Sequence, residues 1–373
     1  MQEQDWKFLL ERIDNGECTP FIGPSVNLDL LTPRSELAKS WASEYGYPLP
    51  GKNRFEQVSQ YLSVEKYEFF PNDQLSIELK NSLLPDFTSR NQVHGLLADL
   101  NLPLYITTNY DDFMYQALRQ RKREPVRGIF RWKRFLMHRL AGLPIDYQPS
   151  PANPLVYHLH GYLEFPESLV LRTDDYLDFL VNISSSEYKL PPPVLRAMSD
   201  TSLLFIGYDP ADWEFRVLVR GLIKTTDAPM RRISVIAQFP LSSDTPEIVQ
   251  ENAKQYFSRY FHEIDREMHL YWGTAQDFLI ELHRRYLSQN TDNPQQNAET
   301  GQRIDQISLF HNLNEYFSLD DLHDLAFELE IDQDNLPATK KSFARKLIQE
   351  LKNRQKLAEL VEICRRERPN IQL

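Results

Sequence analysis

Residues 103–111 read PLYITTNYD. A short apolar run, Leu104 to Ile106, leads directly into Thr107, Thr108, Asn109 and, one tyrosine later, Asp111. The next segment, DDFMYQALRQRK (111–122), has helical length and an amphipathic pattern, so Asp111 or Asp112 can cap its first turn. Capping accounts for an aspartate at that place. It does not account for Thr107, Thr108 and Asn109 together, and small polar groups massed behind a buried strand are also what a ligand site at a strand's carboxyl end requires.

Three further segments have the same build: TPFIGPS (19–25), PLVYHLHG (154–161) and SLLFIGYD (202–209). RISVIAQF (232–239) and MHLYWG (268–273) are two more strand candidates. Amphipathic stretches such as ADWEFRVLVRGLIK (211–224) lie between them. Strands alternating with helices predict an α/β fold, a Rossmann-like parallel sheet with flanking helices. Ile22, Ile106, Leu159 and Ile206 are then buried strand residues. The polar residues gather at the carboxyl ends, where such sheets bind ligands.

Each strand end admits two readings. His158 and His160 are two residues apart and share a strand face, with Leu159 facing the packing side; a lone histidine is more often structural, whereas two at a strand end before Gly161 lean toward function. FIGPSVN (21–27) can cradle a phosphate on backbone N–H groups. It lacks the three glycines of the dinucleotide fingerprint, Pro24 has no N–H, and by itself it reads as a plain strand-to-helix turn. Gly207 ends the last of the four segments, and Asp212 is a candidate cap for the helix after it.

The chain has 373 residues, 41% hydrophobic and 25% charged, and a formal net charge of −11. This is an ordinary globular composition with room for two domains, and the negative charge disfavours a general nucleic-acid binder. Cys18 and Cys364, the two cysteines, build neither a disulfide framework nor a four-cysteine zinc site. The N-terminus is charged and amphipathic, and no run reaches the ~20 apolar residues of a membrane span, so a cytoplasmic protein is expected. The segment 119–139 is strongly basic; it reads as a solvated helical face or as an attractor for an anionic partner.

SQNTDNPQQNAETGQ (288–302) is polar and reads as a linker. The remainder of the chain is helical in pattern, with Ser318 and Asp321 placed as a cap before Leu322, Leu325, Ala326 and Leu329. The expected organisation is therefore 1–287, a linker at 288–303 and a small all-α bundle at 304–373. Acidic residues cluster early in the bundle (Asp320, Asp321, Asp324, Glu328) and basic ones late (Lys340, Lys341, Arg365, Arg366), a distribution suited to head-to-tail contacts between like domains.

IGPS, TTNYD, HLHG and IGYDPADW, in this order, resemble the bacterial sirtuin-like NAD-binding domains, over about residues 5–287. ESLVLRTDDYLDF (167–179) resembles that family's threonine–acidic–tyrosine pattern. The resemblance implies that His160 is the general base, that Asn109 holds the nicotinamide-side ribose or the attacking water, and that Asp111 faces the nicotinamide amide. It implies phosphate contacts from Gly23 and Ser25, a place for Thr108 in the dinucleotide site, and Gly207 beside the adenosine half. Asp209 stands where the family commonly has serine; a carboxylate there suits ribose hydroxyls and disfavours a phosphate. Deacetylating sirtuins carry a four-cysteine zinc module that this chain cannot make, so no metal is expected.

The tail from Ile304 resembles the effector-associated domains of bacterial conflict systems, which are death-domain-like; FSLDDLHDLAFELEIDQDNLP (317–337) and RKLIQELKNRQKLAELVEICRRERP (345–369) carry the likeness. It implies homotypic binding to a protein with a matching domain, and a homo-oligomer. The two resemblances together imply an NAD+ hydrolase that releases nicotinamide and ADP-ribose as a bacterial defence effector, with NAD+ as substrate. The rival readings are a deacylase or ADP-ribosyltransferase on the same site, and a non-catalytic nucleotide-sensing adaptor.

Overall fold

The computed structural model describes residues 1–209 apart from 2, 29, 81–83, 145, 184 and 186–189, then 212, 215, 216, 218 and 219, 235–239, 246–263 and 268–292. In the C-terminal part it describes 313, 316–329, 331, 339–353, 359, 360, 363, 364 and 366. The chain divides into two compact units, Met1–Leu287 and Ser288–Leu373.

The first unit is built on a seven-stranded sheet: β1 Cys18–Ile22, β2 Leu104–Thr107, β3 Val126–Ile129, β4 Leu155–His158, β5 Ser202–Ile206, β6 Val235–Phe239 and β7 Met268–Trp272. The spatial order is β3-β4-β2-β1-β5-β6-β7, and every pairing is parallel. The chain builds outward from β1 on one side through β2 and β4, then crosses to the other side at β5. The topological switch therefore falls at β1 and β5, where an open parallel sheet leaves a crevice at its carboxyl edge.

Both faces of the sheet are covered, which is why its strands read as near-continuous apolar runs. Phe21, Leu104, Ile106, Tyr157 and Phe205 belong to one core, and Ile22, Tyr105, Val156, Leu204 and Ile206 to the other. Neighbours in sequence thus point to opposite layers, as the pleat demands. Ile22, Ile106, Leu159 and Ile206 are buried as the sequence predicts. Leu159 sits one residue beyond β4, its N–H bonded to the carbonyl of Thr107.

One strand escaped the sequence pattern. β3 lies inside the basic stretch 119–139, which is therefore not a continuous helical face; helices cover only its two ends, the last residues of Phe113–Gln120 and Arg134–Arg139. β3 is an edge strand, partly buried, and its Gly128 is required because a Cβ there would stand 2.5 Å from the ring of Tyr157. Much of the basic charge is neutralised within the fold, by Arg121–Asp99, Arg127–Asp112, Lys133–Asp175 and Arg139–Glu167 pairs.

Three helices, Arg34–Glu44, Phe55–Glu65 and Phe70–Lys80, form a separate apolar cluster around Trp41, Phe55, Val58 and Leu62. Tyr110, Leu169 and Leu171, from the segments leaving β2 and β4, pack into this cluster. The helical layer is thereby fixed over the carboxyl end of the sheet. Among the described residues no helix is long and apolar enough to cross a membrane.

In the second unit, helices Leu319–Glu328 and Lys340–Asn353 enclose a core of Leu322, Leu325, Ala326, Phe343, Leu347 and Leu351. Ser318 and Asp321 form the expected reciprocal cap: Ser318 Oγ accepts from the Asp321 N–H at 3.0 Å, and Asp321 Oδ2 from the Ser318 N–H at 2.7 Å. The early acidic and late basic groups are not wholly segregated, since Arg366 grips Glu328 with contacts of 2.7 and 2.9 Å. The stretch expected as a linker begins inside a helix, because Ala275–Asp292 runs five residues past position 287. The start of the tail at 304–312 lies outside the described residues.

Candidate functional site

The segment after β2 is fastened at every polar side chain. Thr107 Oγ1 donates to the carbonyl of Ile22 at 3.2 Å and accepts the Asn109 N–H at 3.0 Å. Asn109 Nδ2 donates to the carbonyl of Gly23 at 3.0 Å. Tyr208 Oη donates to the carbonyl of Ile22 at 3.3 Å, so the 2.9 Å contact between Thr108 Oγ1 and Tyr208 Oη uses the threonine proton. Thr107, Thr108 and Asn109 are all buried, and these bonds satisfy the polar group of each. They lock the carboxyl ends of β1, β2 and β5 into one unit.

Asp111 caps the helix that follows it and also holds Asn27. Its Oδ1 accepts the N–H of Phe113, first residue of the helix Phe113–Gln120, at 3.0 Å, and its Oδ2 accepts from Asn27 Nδ2 at 2.7 Å. Burial pushes its carboxyl up to about 6, against the hydrogen bonds from Phe113 and Asn27, which favour the charged form. Asp112 instead holds Arg127 in a two-point contact at 2.7 and 3.0 Å.

Both histidines are buried and each leaves one ring nitrogen unbonded, His158 Nε2 and His160 Nδ1; they differ in what else the ring touches. His158 Nδ1 meets the carbonyl of Asn109 at 3.2 Å, so Nδ1 carries the proton and the ring supports the Asn109 backbone. Burial drives the His158 pKa down to about 4. His160 packs edge-on against Phe179 at 4.7 Å and Tyr176 at 5.5 Å. Its Nδ1 is buried and makes no hydrogen bond to the protein. Burial, aided by the charge of Arg34, drives its pKa down to about 3. An imidazole near its free-solution pKa, which the sequence alone suggests, is thus replaced by one held firmly neutral: an acceptor, and a weak base.

The β2–β4 register places Thr107 opposite His158. Asn109 and His160 each come two residues later and so leave the sheet at the same level on neighbouring strands. Gly161 has φ +89° and a Cβ there would strike the carbonyl of Ser168 at 2.2 Å, which explains the glycine behind the histidine.

The turn after β1 uses its backbone donors internally. Gly23 N–H bonds to the carbonyl of Ile206 at 2.8 Å, and Ser25 N–H to that of Gly207 at 3.1 Å, while Pro24 has none. The backbone phosphate cradle expected at Gly23 and Ser25 is closed by these bonds; what Ser25 presents is its hydroxyl. Gly207, at φ +74°, lets the chain pass Val26, whose backbone nitrogen would lie 2.9 Å from an added Cβ. Ser25, Gly207, Tyr208 and Asp209 line a cleft of about 720 Å³ at the switch point. Asn109, Thr108, Asp111 and His160 do not line it. Thr108 touches its wall through Tyr208, and Asn109 bonds to Gly23, two residues before the lining Ser25.

Several residues at this end of the sheet escaped the sequence reading. Arg34 opens its helix, lies 4.6 Å over the ring of Tyr110 and donates to Tyr176 Oη at 3.3 Å. Pro33–Arg34 at a helix start was the available signal, too short to distinguish from a surface arginine. Asp175 is buried and accepts from Arg172, Lys133 and two backbone N–H groups. Although burial opposes it, these bonds hold its carboxyl below the usual range. It anchors the segment that delivers Tyr176 to His160. Among the described residues, no group of three or more His, Cys, Asp or Glu side chains is placed to hold a metal ion.

Residues 103–263, which include both strand ends that carry Asn109 and His160, match the SIR2-like domain family. The chain carries a SIR2-like domain. The matched span begins at β2 and runs beyond β6, so β1 and its Gly23–Ser25 turn lie ahead of it. Residues 309–369 match Effector-associated domain 7, in the helical second unit. The chain is also similar to the NAD(+) hydrolase ThsA of Bacillus cereus (strain MSX-D12), 23% identical over 185 residues, which is 48% of this chain and 34% of that protein. The chain therefore spans about a third of the length of the curated relative it matches. Its SIR2-like domain, joined to an effector-associated domain, is the combination expected from the sequence.

Proposed function

We propose that the SIR2-like domain hydrolyses NAD+ to nicotinamide and ADP-ribose. The observation that carries this reading is the placement of Asn109 and His160 two residues beyond the paired Thr107 and His158 at the carboxyl ends of adjacent strands, with His160 Nδ1 buried and unbonded. The similarity to an NAD(+) hydrolase supports it.

In the proposed reaction the bond between the ribose C1′ and the nicotinamide nitrogen breaks, and its electron pair neutralises the pyridinium. Positive charge builds on the sugar, and water adds to C1′. Asn109 orients that water or the ribose without adding charge. His160 takes the released proton. Its weak basicity suffices, because an oxygen newly bonded to a cationic carbon is far more acidic than even a buried imidazolium. Burial keeps the imidazole unprotonated and ready at neutral pH. Asp111 faces the nicotinamide amide, and Ser25, Gly207 and Asp209 receive the other half of the dinucleotide in the cleft.

The effector-associated domain gives this activity its context. A protein carrying a matching domain recruits or activates the chain, which acts as a defence effector by consuming NAD+. The test is incubation of the purified full-length chain with NAD+, alone and with a candidate partner. Nicotinamide and ADP-ribose appearing in equal amounts supports the reading; intact NAD+ under both conditions removes it.

A further inference from the structure

Among the described residues no hydrogen bond fixes the ring of His160. Its aromatic neighbours, Tyr176 and Phe179, stand nearly at right angles to it, at 88° and 85°. The direction of the imidazole is therefore set by packing, and both rings come from one helix, Thr173–Ile183. Residues three apart share a helix face, so whatever places this helix places both walls of the imidazole.

That helix is fastened at two points to the segment after β3. Near its end, Asn182 Nδ2 donates to the carbonyl of Trp132 at 2.8 Å. Near its start stands Asp175, whose side chain is 2% exposed. Its Oδ2 accepts the N–H groups of Leu171 at 3.3 Å and Arg172 at 3.0 Å. The Arg172 guanidinium forks onto both carboxylate oxygens at 3.0 and 2.8 Å, and Lys133 Nζ donates to Oδ1 at 2.8 Å. A cap at this helix start needs the bond from the Arg172 N–H alone. The two cations add charge-assisted bonds, which are the strong and directional ones. They hold Asp175, and with it the adjacent Tyr176, against a segment about 40 positions earlier in the chain.

We infer that Asp175, braced by Lys133 and Arg172, is a positioning residue: it sets Tyr176 and Phe179, and through them aims the imidazole of His160. The inference rests on the role given to His160 in the hydrolase reading and adds the residues that orient that base. It also gives Lys133 a function inside the fold, in place of the attraction of an anionic partner.

The test compares Asp175→Asn and Lys133→Met in the full-length chain with Arg139→Gln, which removes an exposed ion pair on the same basic stretch. With NAD+ as substrate, kcat is expected to fall at least about tenfold in the first two while KM stays within about twofold. Arg139→Gln is expected to match the native chain. In a His160→Gln background, Asp175→Asn and Lys133→Met are expected to cause no further loss, because they act through His160. A second readout needs no turnover. In chains carrying 15N-labelled histidine, the His160 ring signal, identified by its absence in His160→Gln, is expected to move in both variants, while that of His94, in the helix Val93–Asp99, stays in place.

Circular dichroism establishes that each variant is folded. If Asp175→Asn is not, Lys133→Met carries the test, since it leaves the Arg172–Asp175 pair intact. Unchanged kcat, losses that add fully to that of His160→Gln, or an unmoved His160 signal in the folded variants overturns the inference. If the native chain leaves NAD+ intact, the hydrolase reading falls and the ring signal alone decides: moved, the placement of His160 by Asp175 stands; unmoved, it is overturned.

Discussion

Asn109 and Gly23 are joined by a 3.0 Å hydrogen bond from the asparagine amide to the glycine carbonyl, across 86 positions of sequence. This bond fixes the side chain proposed to orient the nucleophile onto the turn that borders the cleft. Asn109→Asp sets a carboxylate oxygen against a carbonyl oxygen, so it is expected to lower NAD+ cleavage by about two orders of magnitude or more and to cost roughly 1–3 kcal/mol of stability. Nicotinamide release assays and chemical denaturation check the two parts; native activity in a folded Asn109→Asp variant contradicts the role.

His160→Gln keeps a polar group of similar reach but removes the imidazole. Cleavage is expected to fall by about 10²–10⁴-fold with the fold retained. His158→Gln is expected to do less, since His158 acts through the Asn109 backbone. Native activity of the His160 variant, or a larger loss at His158, reverses the assignment.

Gly23 admits no side chain. A Cβ there would lie 2.6 Å from the carbonyl of Gly207 and 2.8 Å from the ring of Tyr208. Gly23→Ala is therefore expected to push β1 and β5 apart at their carboxyl ends and to cost about 1–3 kcal/mol. Its effect on ADP-ribose binding should exceed that of Gly46→Ala, since nothing lies within 4 Å of a Cβ at that position. Equal effects on binding count against the turn's place in the cleft.

Stability should fall on acidification. His94, His158 and His160 are all buried, and burial lowers each pKa, to about 3, 4 and 3, from 6.5. A depressed folded pKa means that the unfolded chain takes up the proton first. The stability tied to each histidine is complete above pH 6.5 and is lost as pH falls toward 4, with a limiting slope of about 1.4 kcal/mol per pH unit for each. Asp111 works in the opposite direction: its folded pKa is raised from 3.8 to about 6, so its contribution favours the folded state below that window and fades as pH rises through it. Asp14, its carboxyl raised by burial, acts with Asp111, whereas Asp99, Asp175 and Glu281, held low by their partners, act with the three histidines. The net prediction is a falling midpoint for urea unfolding between pH 6.5 and 4, with a shallower slope in His94→Phe. A flat profile is the contrary outcome.

Removal of residues 288–373 is expected to leave Met1–Leu287 folded, with its ADP-ribose affinity within about twofold of the full chain and any partner-dependent activation gone. Circular dichroism, calorimetry and an NAD+ assay with the partner measure these three properties. Activation that survives the truncation speaks against recruitment through the second unit.

The sheet and the second unit's cap were legible in the sequence because their determinants are local. Apolar runs of four or five residues ended by glycine or small polar groups mark β1, β2, β4 and β5, and Ser318 with Asp321 marks a helix start within four positions. β3 was hidden because an edge strand needs little apolar sequence, and Arg127 and Gly128 break its pattern. The work of TTNYDD was beyond sequence reasoning for a different reason. Whether Thr108 touches Tyr208, 100 positions away, or whether Gly23 has an N–H to spare, depends on which strands become neighbours, and the parallel crossovers decide that only in three dimensions. Burial is likewise a property of the packed molecule. The sequence places a histidine at a strand end; the rings of Tyr176 and Phe179 and the charge of Arg34, drawn from distant segments, are what hold it neutral.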